Sequence, residues 1–173
     1  VWDACKDKRD KFGFTFQQAI FSGSKWTNSG VGCYAGSHDS YYTFAPFFDK
    51  IIESYHGHKK TDKHISSMDH TKLRCPAFPE DEDKMINSTR IRVARNLAAY
   101  PLGTNISRDQ RKEVEKLVVS ALNDFDGELK GKYYSLATMT PAEKKQLIED
   151  HFLFKGGDKY LESAGLERDW PEA

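Results

Sequence analysis

Arg90 and Arg92, in the run I-N-S-T-R-I-R-V-A-R-N from Ile86 to Asn96, are the side chains whose type and spacing first suggest chemistry. A strand over this run would place Ile86, Ser88, Arg90, Arg92 and Ala94 on one face and Ile91 and Val93 on the other. The two guanidiniums would then stand about 7 Å apart and repel each other unless an anion lay across them. Planar forked donors suit phosphate or carboxylate oxygens, so the pair reads as a phosphate clamp or, more plainly, as a solvated strand face. A second stretch, N-S-G-V-G-C-Y-A-G from Asn28 to Gly36, carries three glycines. Such a run either brings bare backbone N–H groups to a ligand or simply turns a corner. His151, beside Phe152-Leu153-Phe154, reads as a satisfied core histidine or as a catalyst. His56, His58, His64, His70 and Cys75 follow no finger or catalytic zinc spacing, so no metal site is expected there.

The bulk composition narrows what these groups can serve. The 26 basic and 26 acidic residues cancel, so no global field draws the chain to nucleic acid or to an anionic membrane, and any anion site must be local. Hydrophobic residues make up 38% of the 173, enough to bury a core. Three cysteines, Cys5, Cys33 and Cys75, without C-x-x-C spacing fit a reducing cytoplasm better than a disulfide scaffold. No long apolar run or leader peptide is visible. The chain starts at Val1 and stops after W-P-E-A, so both ends read as cut.

Local signals then mark the elements that must carry these residues. Val1 to Asp10 reads as the tail of a charged helix. Thr15 caps a short helix with Phe16, Ala19 and Ile20 on one face and Gly23 as its stop. Tyr41, Phe44, Phe48, Ile51, Ile52 and Tyr55 fall at helical spacing, and Pro46 divides that stretch into a helix ending near Ala45 and another starting there. The polar stretch from His58 to Lys84 reads as a linker. Ser107 and Gln110 form a capping box before the apolar series Val114, Leu117, Val118, Ala121 and Leu122. Tyr133 and Tyr134 lie in a short strand or extended turn. Thr140 and Glu143 form a second capping box with Pro141 at the first helical position, and Asp158 caps a last helix that Gly165 ends.

Taken together these motifs resemble the phosphagen kinases, and among them the arginine kinases. The likeness is carried by S-G-V-G-x-Y-A at Ser29 to Ala35, F-D-x-I-I-E-x-Y-H at Phe48 to His56, K-K-T-D-K-H at Lys59 to His64, S-T-R-x-R at Ser88 to Arg92, G-E-L-K-G-x-Y-Y at Gly127 to Tyr134 and D-H-F-L-F-K-x-G-D at Asp150 to Asp158. It implies an α+β fold. Residues 1–62 would belong to a small all-α amino-terminal domain, 63–83 to a linker, and 84–173 to the first part of an antiparallel β-sheet domain flanked by helices. It also implies reversible transfer of the γ-phosphoryl of ATP, with ATP and ADP bound as magnesium complexes, to the guanidino group of arginine. Taurocyamine or another guanidino compound is the alternative acceptor, and a nucleotide- or anion-binding fragment without activity is the other alternative. Residue by residue, Ser88, Arg90, Arg92 and His151 correspond to nucleotide-binding positions, and Ser29, Gly30, Val31, Gly32 and Tyr34 to the loop that grips the guanidino substrate. No catalytic residue or metal ligand is expected within these residues, and the chain by itself is expected to be inactive. Asn28 and Lys159 stand where arginine kinases carry an aspartate and an arginine that pair, an ion pair that neutral Asn28 cannot make.

Overall fold

Helix starts are where the local signals act most directly. The side chains of Thr15, Ser107 and Thr140 each accept from the backbone N–H three residues on, while Gln18, Gln110 and Glu143 reach back to the N–H of the capping residue. These reciprocal bonds satisfy donors that every helix leaves open at its first turn. The computed structural model describes residues 1–89, 91, 93–153 and 157–169. Among them lie α1 (Trp2–Cys5), α2 (Phe16–Lys25), α3 (Ser40–Thr43), α4 (Ala45–His56), α5 (Glu80–Asp83), α6 (Arg108–Asn123), α7 (Pro141–Glu149) and α8 (Lys159–Ser163), with 3-10 turns at His70–Lys72 and Gly127–Leu129. Pro46 sits in the first turn of α4, where its missing N–H costs nothing, and Gly57 ends that helix at φ 66°. The division of the aromatic stretch near Ala45 therefore stands. The Gly23 stop does not: α2 continues to Lys25.

The core is built almost entirely from the first third of the chain. Cys5, Phe14, Phe16, Ala19, Ala35, Phe44 and Phe48 are buried together, with Ile20, Cys33, Phe47, Ile52 and Leu102 packed against them. Phe16 carries the packing between α2 and α4, its ring lying 5.6 Å from that of Phe44 and 5.1 Å from that of Phe47. A short segment from much later in the chain returns to this unit. The Leu102 N–H donates to Gly36 O at 2.9 Å, Thr104 Oγ1 to Ala35 O at 2.7 Å, and Asn105 Nδ2 to Phe12 O at 3.2 Å. Beyond it, Arg168 donates to the carbonyl of Ile106 at 2.7 Å, and Arg111 reaches Asp169 at 2.5 Å. From Gly57 to Ala99, by contrast, every described residue except His58 is exposed.

Asp10 is the polar centre of the amino-terminal unit, with only 4% of its surface exposed. One oxygen accepts the N–H groups of Phe12 and Phe14 at 2.9 Å each, and the other accepts the Ser37 and Ser40 hydroxyls at 2.6 and 2.7 Å. Burial pushes this carboxyl upward, but the two hydroxyls and two amides outweigh burial and hold it below the ordinary carboxylate value.

The expected antiparallel sheet is not formed among the described residues. The nearest thing to a ladder is a single isolated bridge between Arg9 and Thr15. The described residues of 86–96 form no strand, and Ile91 and Val93 are 88% and 78% exposed. Alternation specifies which side chains share a face, but a strand exists only when a second strand takes its N–H and C=O groups. The regular structure among the described residues is therefore helical, not α+β. Residues 130–135 carry no regular secondary structure, so Tyr133 and Tyr134 do not lie in a strand.

Replacing Asp10 with Ala leaves two hydroxyls and two amides without their acceptor and is expected to cost about 3 kcal/mol, read from the urea midpoint. Because the folded carboxyl lies below its ordinary value of 3.8, its contribution is complete above that value and is lost as pH falls through the folded one. Stability measured from pH 6 downward is expected to lose part of its acid limb in Asp10→Asn.

Candidate functional site

The glycine-rich stretch is held against the helix that precedes it. The N–H of Trp26 closes α2 on Ser22 O at 2.8 Å, and the N–H of Ser29 donates to Trp26 O at 2.9 Å, which starts the turn. The chain then runs back beside α2, with Gly23 N donating to Gly32 O at 2.7 Å and Tyr34 N to Ala19 O at 2.9 Å. Gly23 and Gly32 touch backbone to backbone: a Cβ on Gly23 would sit 2.5 Å from Gly32 O, and one on Gly32 would sit 2.6 Å from Gly23 Cα. Gly32 also takes φ +72°, a conformation that costs other residues about 1–2 kcal/mol. Gly36 is required by Phe14, whose ring would lie 2.2 Å from an added Cβ. Gly30 is different. It has ordinary φ and nothing within 4 Å of where a Cβ would be, so the fold alone does not explain a glycine there.

This loop lines a cavity of about 380 Å³. Val31, Cys33 and Tyr34 form one wall, Ile52, Tyr55 and His56 of α4 another, and Thr104 and Leu166 close it from the returning segments. Burial raises the Cys33 thiol, which keeps it protonated and makes it a poor nucleophile. The structure thus brings Ser29, Gly30, Val31, Gly32 and Tyr34 into one loop, with Gly30 and Val31 exposed and Gly32 buried.

The other expected residues do not join it. Ser88 is exposed in a stretch without regular structure, and Arg90 and Arg92 lie outside the described residues. His151 is exposed at the end of α7 with φ 62°, where its backbone takes the left-handed turn that ends the helix. It is not a core histidine. Neither Ser88 nor His151 lines the loop cavity. A further cavity of about 410 Å³, bounded by Leu122, Phe125, Leu129, Tyr134, Leu147 and Phe152, contains none of the expected residues. Beside it, Lys132 donates to Glu143 at 2.8 Å. That contact first, and the Thr140 cap next, take the Glu143 carboxyl down to about 2. Among the described residues no three His, Cys, Asp or Glu side chains come close enough to hold a metal ion. No helix among them is long and apolar enough to cross a membrane.

Trp26 and Gly23 are structural determinants of the loop that pattern reading passed over. An aromatic residue at a helix end, two positions before Asn28, was the available signal for the first. Nothing local signals that Gly23 must face Gly32.

Comparison with known proteins decides the family. Residues 1–53 match the ATP:guanido phosphotransferase N-terminal domain, and residues 113–173 match the ATP:guanido phosphotransferase C-terminal catalytic domain. The chain belongs to the ATP:guanido phosphotransferase family. An arginine kinase of Anthopleura japonica is 44% identical over 173 residues, which are 99% of this chain and 24% of that protein. Arginine kinase Lit v 2.0101 of Penaeus vannamei is also 44% identical, over 99% of this chain and 48% of that protein. Among solved structures, a lombricine kinase superposes with a TM-score of 0.83 at 28% identity, covering 96% of this chain and 46% of that one. The duplicated taurocyamine kinase of Schistosoma mansoni, with bound transition-state-analogue components, gives 0.79 at 27% identity over 98% of this chain and 24% of that one. The chain thus spans about half the length of these family members, or about a quarter of the longest.

The two loop glycines differ in what the fold requires of them. Gly32→Ala is expected to lower the urea midpoint by the equivalent of about 2 kcal/mol or more, from its left-handed φ and its backbone clash. Gly30→Ala is expected to stay within about 0.5 kcal/mol of the unmodified protein.

Proposed function

We propose that the full-length protein is an arginine kinase, reversibly transferring the γ-phosphoryl of magnesium-bound ATP to a guanidino nitrogen of arginine in the cytoplasm. The observation that carries this is the 44% identity to arginine kinases across 99% of the chain, against 27–28% to the solved taurocyamine and lombricine kinases. Residues 1–62 are assigned to a helical amino-terminal domain, 63–83 to a linker and 84–173 to the start of the catalytic domain.

Phosphoryl transfer asks for in-line positioning and for charge on the phosphate oxygens more than for covalent help. Ser88, Arg90, Arg92 and His151 are assigned to the nucleotide, where guanidiniums offer forked donors to its phosphates. Ser29, Gly30, Val31, Gly32 and Tyr34 are assigned to the acceptor. Arginine has a carboxylate at the end remote from its guanidino group, and bare N–H groups in a turn can hold an anion without a charged side chain. The open space over Gly30 favours this assignment, since a backbone approached by a ligand is a reason for glycine that the fold does not supply.

The test is a coupled phosphotransfer assay on the full-length protein with arginine, taurocyamine and lombricine in parallel. Arginine is expected to give the highest kcat/KM, and a preference for either competitor overturns the substrate assignment. Gly30→Val is expected to raise the KM for arginine at least about tenfold while leaving that for ATP within about twofold. Arg90→Ala is expected to lower kcat at least about a hundredfold, the scale of losing one preorganised donor to a developing anion. Normal turnover in that variant would return the arginine pair to a solvated face.

A further inference from the structure

Trp26 is joined to two places at once. Its carbonyl accepts the Ser29 N–H that starts the glycine loop, at 2.9 Å. Its side chain lies on α8, 137 residues away in sequence, where Nε1 donates to Ser163 Oγ at 2.7 Å. The Ser163 hydroxyl donates in turn to Lys159 O at 2.7 Å, so neither group is left open. The Lys159 ammonium stands 4.4 Å from the centroid of the Trp26 ring, and the Tyr160 ring meets it edge-on at 6.4 Å and 73°. Lys25 approaches the same ring at 5.5 Å. A bond from Ser22 Oγ to Tyr160 O at 3.1 Å runs alongside. The expected partner position, Asn28, is exposed and takes no part in these contacts.

We propose that Trp26, clasped by Lys159 and Ser163, is a positioning residue that makes the geometry of the glycine loop depend on the placement of α8, and so sets how well the loop receives the guanidino substrate. This rests on the loop being the grip for that substrate. The physical basis is that the indole is a rigid lever with one end fixed in each place. Its N–H bond and its nearer cation contact hold only while α8 lies where it does, and its backbone supplies the first hydrogen bond of the turn. Of these contacts the cation–π pair is the one that can be removed without disturbing packing, because Lys159 is exposed and a methionine keeps its stem. An exposed pair of this kind is worth about two- to fivefold in an equilibrium.

The experiment compares Lys159→Met, which removes the charge, with Lys159→Arg, which keeps a cation able to stack on the indole. In the full-length protein, Lys159→Met is expected to raise the KM for arginine about two- to fivefold, with kcat and the KM for ATP unchanged, and Lys159→Arg to restore it. Amide hydrogen exchange at Ser29, measured without substrate, is expected to quicken by a similar factor in Lys159→Met and to return in Lys159→Arg. The exchange measurement does not depend on which substrate the protein uses. The expected exchange pattern in a protein with no guanidino kinase activity would therefore uphold the clasp and overturn the functional assignment. Unchanged exchange at Ser29 in Lys159→Met, or equal rises in KM for arginine and ATP, would overturn the clasp.

Discussion

A carboxylate shut away from water must be surrounded by donors, and in this protein that requirement organises everything around Asp10. Its four hydrogen bonds tie the turn at 10–14 to the start of α3. That turn delivers Phe14 to the core, and Phe14 in turn leaves Gly36 no room for a side chain. The Ser40 hydroxyl that reaches Asp10 also accepts the N–H groups of Gly36 and Ser37 at 3.1 Å each. The segment leaving the glycine loop is therefore fixed by the same network that closes the amino-terminal unit. Half-satisfied polar networks are costly and fully satisfied ones are rigid, so the loop inherits its far anchor from a charge it never touches.

Between its anchors the loop leaves one residue free of contacts with the rest of the fold. Gly23 against Gly32 and Tyr34 against Ala19 hold its return path to α2, while Gly30 stands clear. A binding element held at both ends and bare in the middle spends little of its interaction energy on ordering itself.

Much of the helical structure was legible because its causes are local. Capping boxes at Thr15, Ser107 and Thr140 operate within four residues, Pro46 acts on its own first turn, and Asp158 caps α8 through the N–H groups of Tyr160 and Leu161. The strand expected over 86–96 was legible only as an alternation, and its described residues find no pairing partner. For the site, the glycine stretch declared itself by composition, but composition ranks Gly30 and Gly32 alike. Their difference comes from Gly23, nine residues before Gly32, and no local rule carries that contact. His151 was ambiguous for a similar reason: an apolar neighbourhood in sequence did not become one in space. Trp26 and Ser163 meet across most of the chain, beyond the reach of any periodicity.

The segment around Leu102 and Thr104 docks on Gly36 and Ala35 after the long exposed stretch that begins at Gly57. Closing a stretch of this kind costs entropy that grows only logarithmically with its length, about 0.6 kcal/mol for each doubling. The docking bonds depend on where the stretch ends and hardly at all on how many residues it contains. Insertions and deletions between Gly57 and Ala99 are thus nearly free for the packed unit, whereas the spacing from Gly23 to Gly36 admits none. For the packed unit alone, contact geometry fixes the length of one connection and leaves that of the other nearly unconstrained.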